Sequence, residues 1–210
     1  IIVSVMPIAP KFLVKRIAGR YVAGTNLESA IDLMKKMSKE HTCFTIDVLG
    51  EEINDLEEAR YFVDEYSRVL DSIVSNQINA NISLKPTAFG LLIDKNVALS
   101  NIEEILKKAA SNDIFVRLDM EDHRVTQETI DVVLEMQEKG FQNIGTVLQG
   151  RLFRTKDDIA EISKKLGPIS DFRICKGIYL ESEEISYTKY QEIVDSTNEC
   201  IDLMLEKGCY

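Results

Sequence analysis

Asp171 to Leu180 reads DFRICKGIYL, and this stretch decides how the remaining chain is organised. Phe172 to Cys175 suits a short buried strand, with Arg173, Lys176, Gly177 and Tyr179 gathered toward its carboxyl end. Two cations and a glycine there favour an anion, because the glycine lets backbone N–H groups approach a ligand closely. Four earlier segments have the same form, an apolar run ending in a polar group: FTIDVLGE (Phe44 to Glu51), ANISLKPTAFG (Ala80 to Gly90), IFVRLDMED (Ile114 to Asp122) and NIGTVLQG (Asn143 to Gly150). A helical pattern follows each of them. Strand followed by helix, repeated in this way, predicts a parallel sheet with right-handed crossovers.

Two closures fit that alternation. A doubly wound sheet wants a glycine-rich phosphate turn after its first strand, and LGEEIND is not one. A barrel of parallel strands wants a polar group at the carboxyl end of strand after strand, which is what the chain supplies. The reading is α/β, a (β/α)8 TIM-like barrel. About five β/α units are visible, and a whole barrel needs about 250 residues, so the expectation is an incomplete one. Residues 1–43 are read as an N-terminal segment and helix leading in, and residues 44–210 as the first five units.

Helix boundaries follow from capping signals. Thr25 with Glu28 and Ser100 with Glu103 have capping-box spacing, Asn54 and Thr155 read as caps, and Thr126 opens a helix that Gly140 closes. The last helix is expected from about Ser186 to Lys207.

Composition removes several classes of function. The 210 residues are 45% hydrophobic and 29% charged, enough for one domain with a sizeable core. A formal net charge of -10 lacks the basic footprint that nucleic acid requires. The four cysteines show no zinc spacing and read as reduced thiols of a cytoplasmic compartment. No apolar run reaches the roughly 20 residues of a membrane span. The opening IIVSVMPIAP, short and without Met, is read as a trimmed terminus rather than a signal peptide. His41 and His123 are far apart in sequence and are read as solvated loop residues, so no metal site is expected. Cys175 has no neighbouring histidine and is read as a packing residue.

The strand-end groups are Asp47 and Glu51, Lys85, Asp119, Gln149, then Arg173 with Lys176. Asp47 is read as mid-strand and structural. Glu51 is a weaker candidate for pairing with a cation. A cationic mouth with one carboxylate and one amide suits an anionic substrate beside an electron-poor heterocycle. A rival is a Schiff-base lyase or aldolase with Lys85 or Lys176 as nucleophile, which requires a lysine pKa lowered by burial. A non-catalytic partial barrel serving as an interaction module is the other alternative.

The blocks RYVAGTNLESAI (Arg20 to Ile31), DVLGE, SLKPTAFG, FVRLDMED, VLQ and RICKGIY together resemble the proline dehydrogenase family, in the family's order. The resemblance implies oxidation of L-proline to Δ1-pyrroline-5-carboxylate by hydride transfer to the N5 of FAD. It further implies a membrane quinone as electron acceptor, with the enzyme peripheral on the inner face of a membrane. By the resemblance, Lys85 holds the substrate carboxylate, Asp119 is the active-site aspartate and Arg173 lies beside the flavin ring. Met120, Gln149, Lys176, Gly177 and Ile178 match cofactor contacts, Gln149 at the flavin pyrimidine. The family's Thr-His pair and tandem arginines have no counterpart in these 210 residues. The open edge of a partial sheet gives an expectation of self-association into a homo-oligomer.

Overall fold

The computed structural model describes residues 21–24 and 26–209. Strands β1 (Phe44–Asp47), β2 (Ala80–Leu84), β3 (Val116–Leu118), β4 (Ile144–Gln149) and β5 (Phe172–Cys175) form one sheet in sequential order. The pairing of β2 with β3, β3 with β4 and β4 with β5 is parallel, with Leu84 opposite Leu118, Leu118 opposite Thr146, and Val147 opposite Arg173. Helices α1 (Leu27–Ser38), α2 (Leu56–Ser75), α3 (Lys95–Ala110), α4 (Thr126–Glu138), α5 (Thr155–Leu166) and α6 (Tyr190–Glu206) alternate with the strands. This is the first half of a TIM-like barrel, as the strand-and-helix alternation predicts.

Burial explains the strand sequences. Every residue of β4 is buried, the mark of a parallel strand covered on both faces, whereas β1 alternates half-buried and exposed residues along the sheet edge. Short 3₁₀ turns follow β2 (Pro86–Phe89) and α5 (Gly167–Ile169). Proline at the start of each turn fixes φ and needs no amide donor.

The chain divides into two compact units. The smaller contains the described residues through Phe44 together with Asp71–Asn79. Its α1 is capped by Asn26, whose Oδ1 accepts the Ser29 N–H at 3.0 Å, and it buries Ile31 and Met34. The larger holds Thr45–Leu70 and the chain from Ala80 onward. One core cluster there joins Met120, Val147, Leu148, Ile159 and Phe172 to Cys200 and Cys209, with Cys175 packed against it. Each fully buried aliphatic side chain contributes roughly 1.5–3 kcal/mol.

Several helix starts differ from the sequence reading. Asp55, not Asn54, caps α2, its Oδ1 accepting the N–H of Glu57 (2.9 Å) and Glu58 (3.1 Å). Asp94 caps α3 through Asn96 and Val97, which leaves Ser100 and Glu103 inside the helix. The S-x-x-E spacing recurs within helices because residues three apart share a face. Thr155 opens α5 but donates its hydroxyl to the Gln149 carbonyl at 2.5 Å instead of capping. The last helix begins at Tyr190, later than Ser186. Gly140 takes the expected left-handed conformation after α4, with φ +97°. Thr25, Arg20 and the opening IIVSVMPIAP lie outside the described residues. Among the described residues no helix is long and apolar enough to cross a membrane.

Candidate active site

Each strand delivers its polar group to the same end of the sheet. Lys85 follows β2, and Asp119 follows β3, where its N–H continues the ladder to Leu84 O at 2.9 Å. Gln149 closes β4. From within β5, Arg173 extends its guanidinium so that Nη2 meets Asp119 Oδ1 directly. Lys85 Nζ lies 2.6 Å from Asp47 Oδ2 and 3.9 Å from Asp119 Oδ2. The result is an alternating row, Asp47, Lys85, Asp119 and Arg173, across the mouth of four units.

The row is held from below. Ser83, 1% exposed, donates its hydroxyl to Asp119 Oδ1 at 2.5 Å. The hydroxyl oxygen of Tyr66, on α2, stands 2.9 Å from Asp47 Oδ1 and 2.6 Å from Ser83 O, and accepts the Val48 N–H at 3.1 Å. Burial, followed by the charge of Asp47, pushes the Tyr66 pKa well above its ordinary value, so it is a neutral anchor. Burial works against the Lys85 ammonium. The hydrogen bond to Asp47 and the charges of Asp47, Asp119 and Glu51 outweigh it, and the Lys85 pKa is raised.

Asp47 therefore ends its strand at the mouth and grips Lys85, which corrects the reading of it as a mid-strand structural group. FTIDVLGE looks like one long strand, but only FTID pairs, and the chain turns off after Asp47. Among the described residues Glu51 meets no cation within hydrogen-bond reach. It accepts the Tyr179 hydroxyl at 3.1 Å, and the Tyr179 pKa is raised by burial and by that bond.

Gln149 is 2% exposed. Its Nε2 donates to the carbonyls of Met120 (2.9 Å) and Glu121 (3.0 Å), while its Oε1 has no hydrogen-bond partner among the described residues. Gly177 sits directly over it with φ +93°, and a Cβ at that position would lie 2.8 Å from Oε1. Only glycine fits there. The Met120 side chain packs into the core at 6% exposure, and Ile178, next to Gly177, is 83% exposed. Lys176 turns toward α6, its Nζ 3.4 Å from Tyr190 Oη and 5.0 Å from that ring's centroid. The structure thus unites Lys85, Asp119 and Arg173, sets Gln149 beneath Gly177, and directs Lys176 elsewhere.

Sequence reasoning missed Ser83, Tyr66 and Glu121. Ser83 shares a face of β2 with Asn81 and alternates with the buried Ile82 and Leu84, so its facing was available from the alternation of strand side chains. Tyr66 lies on the apolar stripe of α2 and reads only as core. Glu121 sits in EDHR, which looks solvated, yet it is 3% exposed. His123 is not simply solvated either: its Nδ1 lies 2.6 Å from Glu181 Oε2, and its N–H donates to Oε1 of the same carboxylate at 2.9 Å.

Comparison with known proteins agrees with the geometry. The chain is 32% identical to proline dehydrogenase 2 of Bacillus subtilis over 193 residues, and 30% identical to the proline dehydrogenase of Deinococcus radiodurans over 202. Each alignment covers 92% of this chain but only 62% and 63% of the relative's length. The fold matches crystal structures of proline utilization A from Bdellovibrio bacteriovorus, in a form inactivated by N-propargylglycine (TM-score 0.82, 22% identity), and from Bradyrhizobium japonicum (TM-score 0.74, 18% identity). Those matches cover 94% and 91% of this chain and 25% and 23% of the larger proteins. The proline dehydrogenase family model aligns with residues 30–207, across all five strands and the groups at their ends, and the chain belongs to that family.

Proposed function

We propose that this chain supplies the first five β/α units, residues 44–210, of a flavin-dependent enzyme that oxidises L-proline to Δ1-pyrroline-5-carboxylate, with residues 1–43 leading into them. Electrons then pass to a membrane quinone, which the enzyme meets peripherally. The observation that carries this reading is the row Asp47, Lys85, Asp119, Arg173, brought together at one end of the sheet from β1, β2, β3 and β5. Family membership supplies the substrate class, since the curated relatives are named proline dehydrogenases.

The residues fit FAD on two counts. Gln149 Oε1 is a buried acceptor without a donor, and the N3–H of a flavin pyrimidine is such a donor. Gly177 leaves no side chain over that same oxygen, where a Cβ would stand 2.8 Å away, so the acceptor is not blocked from that side. Gln149, Gly177 and Ile178 are the residues that would hold it, with Lys176 and Met120, whose side chains turn to Tyr190 and to the core, contributing through their backbone. When bound, the flavin supplies the two-electron acceptor for hydride.

The chain's own residues have separable tasks. Lys85 remains an ammonium because its pKa is raised, and it spends one of its three N–H groups on Asp47. Its remaining donors are available to the proline carboxylate. Asp119, fixed by Ser83 and Arg173, stands where the cationic amine of the zwitterion can be received, and that amine must release its proton to solvent before hydride can leave the neighbouring ring carbon. Arg173 places positive charge where the reduced ring would be anionic. Catalysis in this scheme is positioning plus electrostatics. The raised Lys85 pKa also argues against Lys85 as the amine of the Schiff-base alternative, because an amine nucleophile needs a lowered one.

The deciding experiment is anaerobic addition of L-proline to the purified intact protein. A flavin absorbance band that bleaches on addition supports the proposal. A protein that binds no flavin, or holds a flavin that L-proline does not reduce, refutes it.

A further inference from the structure

Glu121 is a buried carboxylate to which the proposed chemistry gives no task. It stands two residues after Asp119 and is 3% exposed. Its Oε1 accepts the Thr87 N–H at 3.0 Å, and its Oε2 accepts the Thr87 hydroxyl. Thr87 Oγ1 in turn accepts the Glu52 N–H at 2.9 Å. The Glu121 main-chain carbonyl takes the Gln149 amide at 3.0 Å. One residue, in the turn after β3, is therefore tied to the turn after β2, through Thr87 to the turn after β1, and to the end of β4. Among the described residues no ammonium or guanidinium touches the carboxylate, so its burial is offset by hydrogen bonds and more distant charge, a costly arrangement. Lys85 attracts it, Glu51 opposes it, and the Tyr179 hydroxyl feels its charge.

The geometry points to Glu121 as a positioning residue, one that fixes the spacing between the Lys85 turn and the Gln149 amide and so the fit of substrate against cofactor. Thr87 lies two residues after Lys85 in the same turn, and Gln149 hangs from the Glu121 carbonyl. A shift at Glu121 is carried to both sides of the site. This inference rests on the proposed reading of Lys85 and Gln149.

Charge and position make opposite forecasts for an anionic ligand. Neutralising Glu121 removes negative charge near Lys85, and electrostatics alone would tighten binding in every neutral variant. Glu121→Gln keeps the acceptor for the Thr87 N–H, while Glu121→Met removes it, at the same net charge.

The test uses the intact protein. Flavin content is measured together with the Kd of cyclopentanecarboxylate, which has the ring and carboxylate of proline and no nitrogen to oxidise, by calorimetry on the oxidised protein. Glu121→Met should bind about tenfold more weakly, with Glu121→Gln within about threefold of the parent, as expected from losing or keeping a buried hydrogen bond. Thr87→Ala should weaken binding from the other end of the same bond, and Thr87→Ser should restore it. That pair decides the matter if Glu121→Met does not fold. Equal tightening in both Glu121 variants, or binding in Glu121→Met and Thr87→Ala that matches the parent, overturns the inference alone. A parent protein that takes neither flavin nor cyclopentanecarboxylate overturns this inference and the proposed function together.

Discussion

Burying Glu121 has a consequence for stability that can be measured without substrate. Burial, only partly offset by its bonds to Thr87, raises its pKa from 4.5 to about 6. That difference corresponds to about 2 kcal/mol, at about 1.4 kcal/mol per tenfold change in proton affinity. The folded protein takes up this proton before the unfolded chain does. The penalty is therefore present in full above pH 6 and is relieved as pH falls toward 4.5, so at this site stability rises with acidity. Other carboxylates run the opposite way. Asp122 is held below its usual range by the hydrogen bond and charge of Arg124, and its contribution is lost only as pH falls through that lowered value. The two effects separate if the parent is compared with Glu121→Gln, which has no proton to gain there. Between pH 7.5 and pH 5 the parent should gain about 1 kcal/mol relative to the variant. For a chain of this size that is roughly 2–4 °C in Tm. Thermal unfolding of both proteins at four or five pH values provides the data, with His123, Lys85, Glu51 and Tyr179 common to both. A difference that stays flat over this range, or that favours the variant in acid, would refute the reasoning.

Three further predictions concern the anchors and the cations. Tyr66→Phe leaves Val48 N–H, Ser83 O and Asp47 Oδ1 without their shared partner and should lower stability by roughly 1–3 kcal/mol, read as a lower urea midpoint at unchanged m-value. Gly177→Ala combines a positive φ with a Cβ 2.8 Å from Gln149 Oε1 and should weaken flavin retention. Gly140→Ala, where φ is +97° but nothing lies within 4 Å, should leave flavin retention unchanged. Arg173→Met should lower the flavin midpoint potential by roughly 30–60 mV, the equivalent of one charge-assisted hydrogen bond of about 1.5–3 kcal/mol. Lys85→Met should weaken carboxylate binding and leave the potential nearly where it was. Redox titration showing the reverse assignment would mean the two cations have been exchanged.

How much of this was legible beforehand depended on the range of the interaction. Strand order and the polar residue at each strand's end are local properties, set by apolar runs and their punctuation, and these located Lys85, Asp119, Gln149 and Arg173. What joins them is not local. Tyr66 reaches Asp47 across 19 positions, and Arg173 reaches Asp119 across 54. No spacing rule announces such pairs, so Tyr66 reads as core, and Asp47 reads as mid-strand because its run of apolar neighbours continues beyond the last paired residue. Glu121 was hidden for a different reason. Four charged residues in succession, EDHR, suggest a solvated loop, and only the fold shows that Thr87 comes up beneath the first of them. The S-x-x-E at Ser100 misled in the other direction, since the true cap, Asp94, lies six residues earlier.

The charges at the mouth place a limit on how an anion is bound there. Lys85 and Arg173 face Asp47 and Asp119, so the row carries no net charge, and the whole chain carries -10. Long-range attraction for a carboxylate is accordingly weak, and any affinity must arise at contact. Contact is where the row is well equipped. At 3.9 Å, Asp119 Oδ2 attracts the Lys85 ammonium without taking one of its protons in a short hydrogen bond, which leaves N–H groups fixed in direction by Asp47 and unspent. A zwitterion suits such a row better than a simple anion, because its ammonium can face Asp119 while its carboxylate faces Lys85. The same pairing that cancels the net charge would thus orient a bound zwitterion, with side chains held by Ser83 and Tyr66.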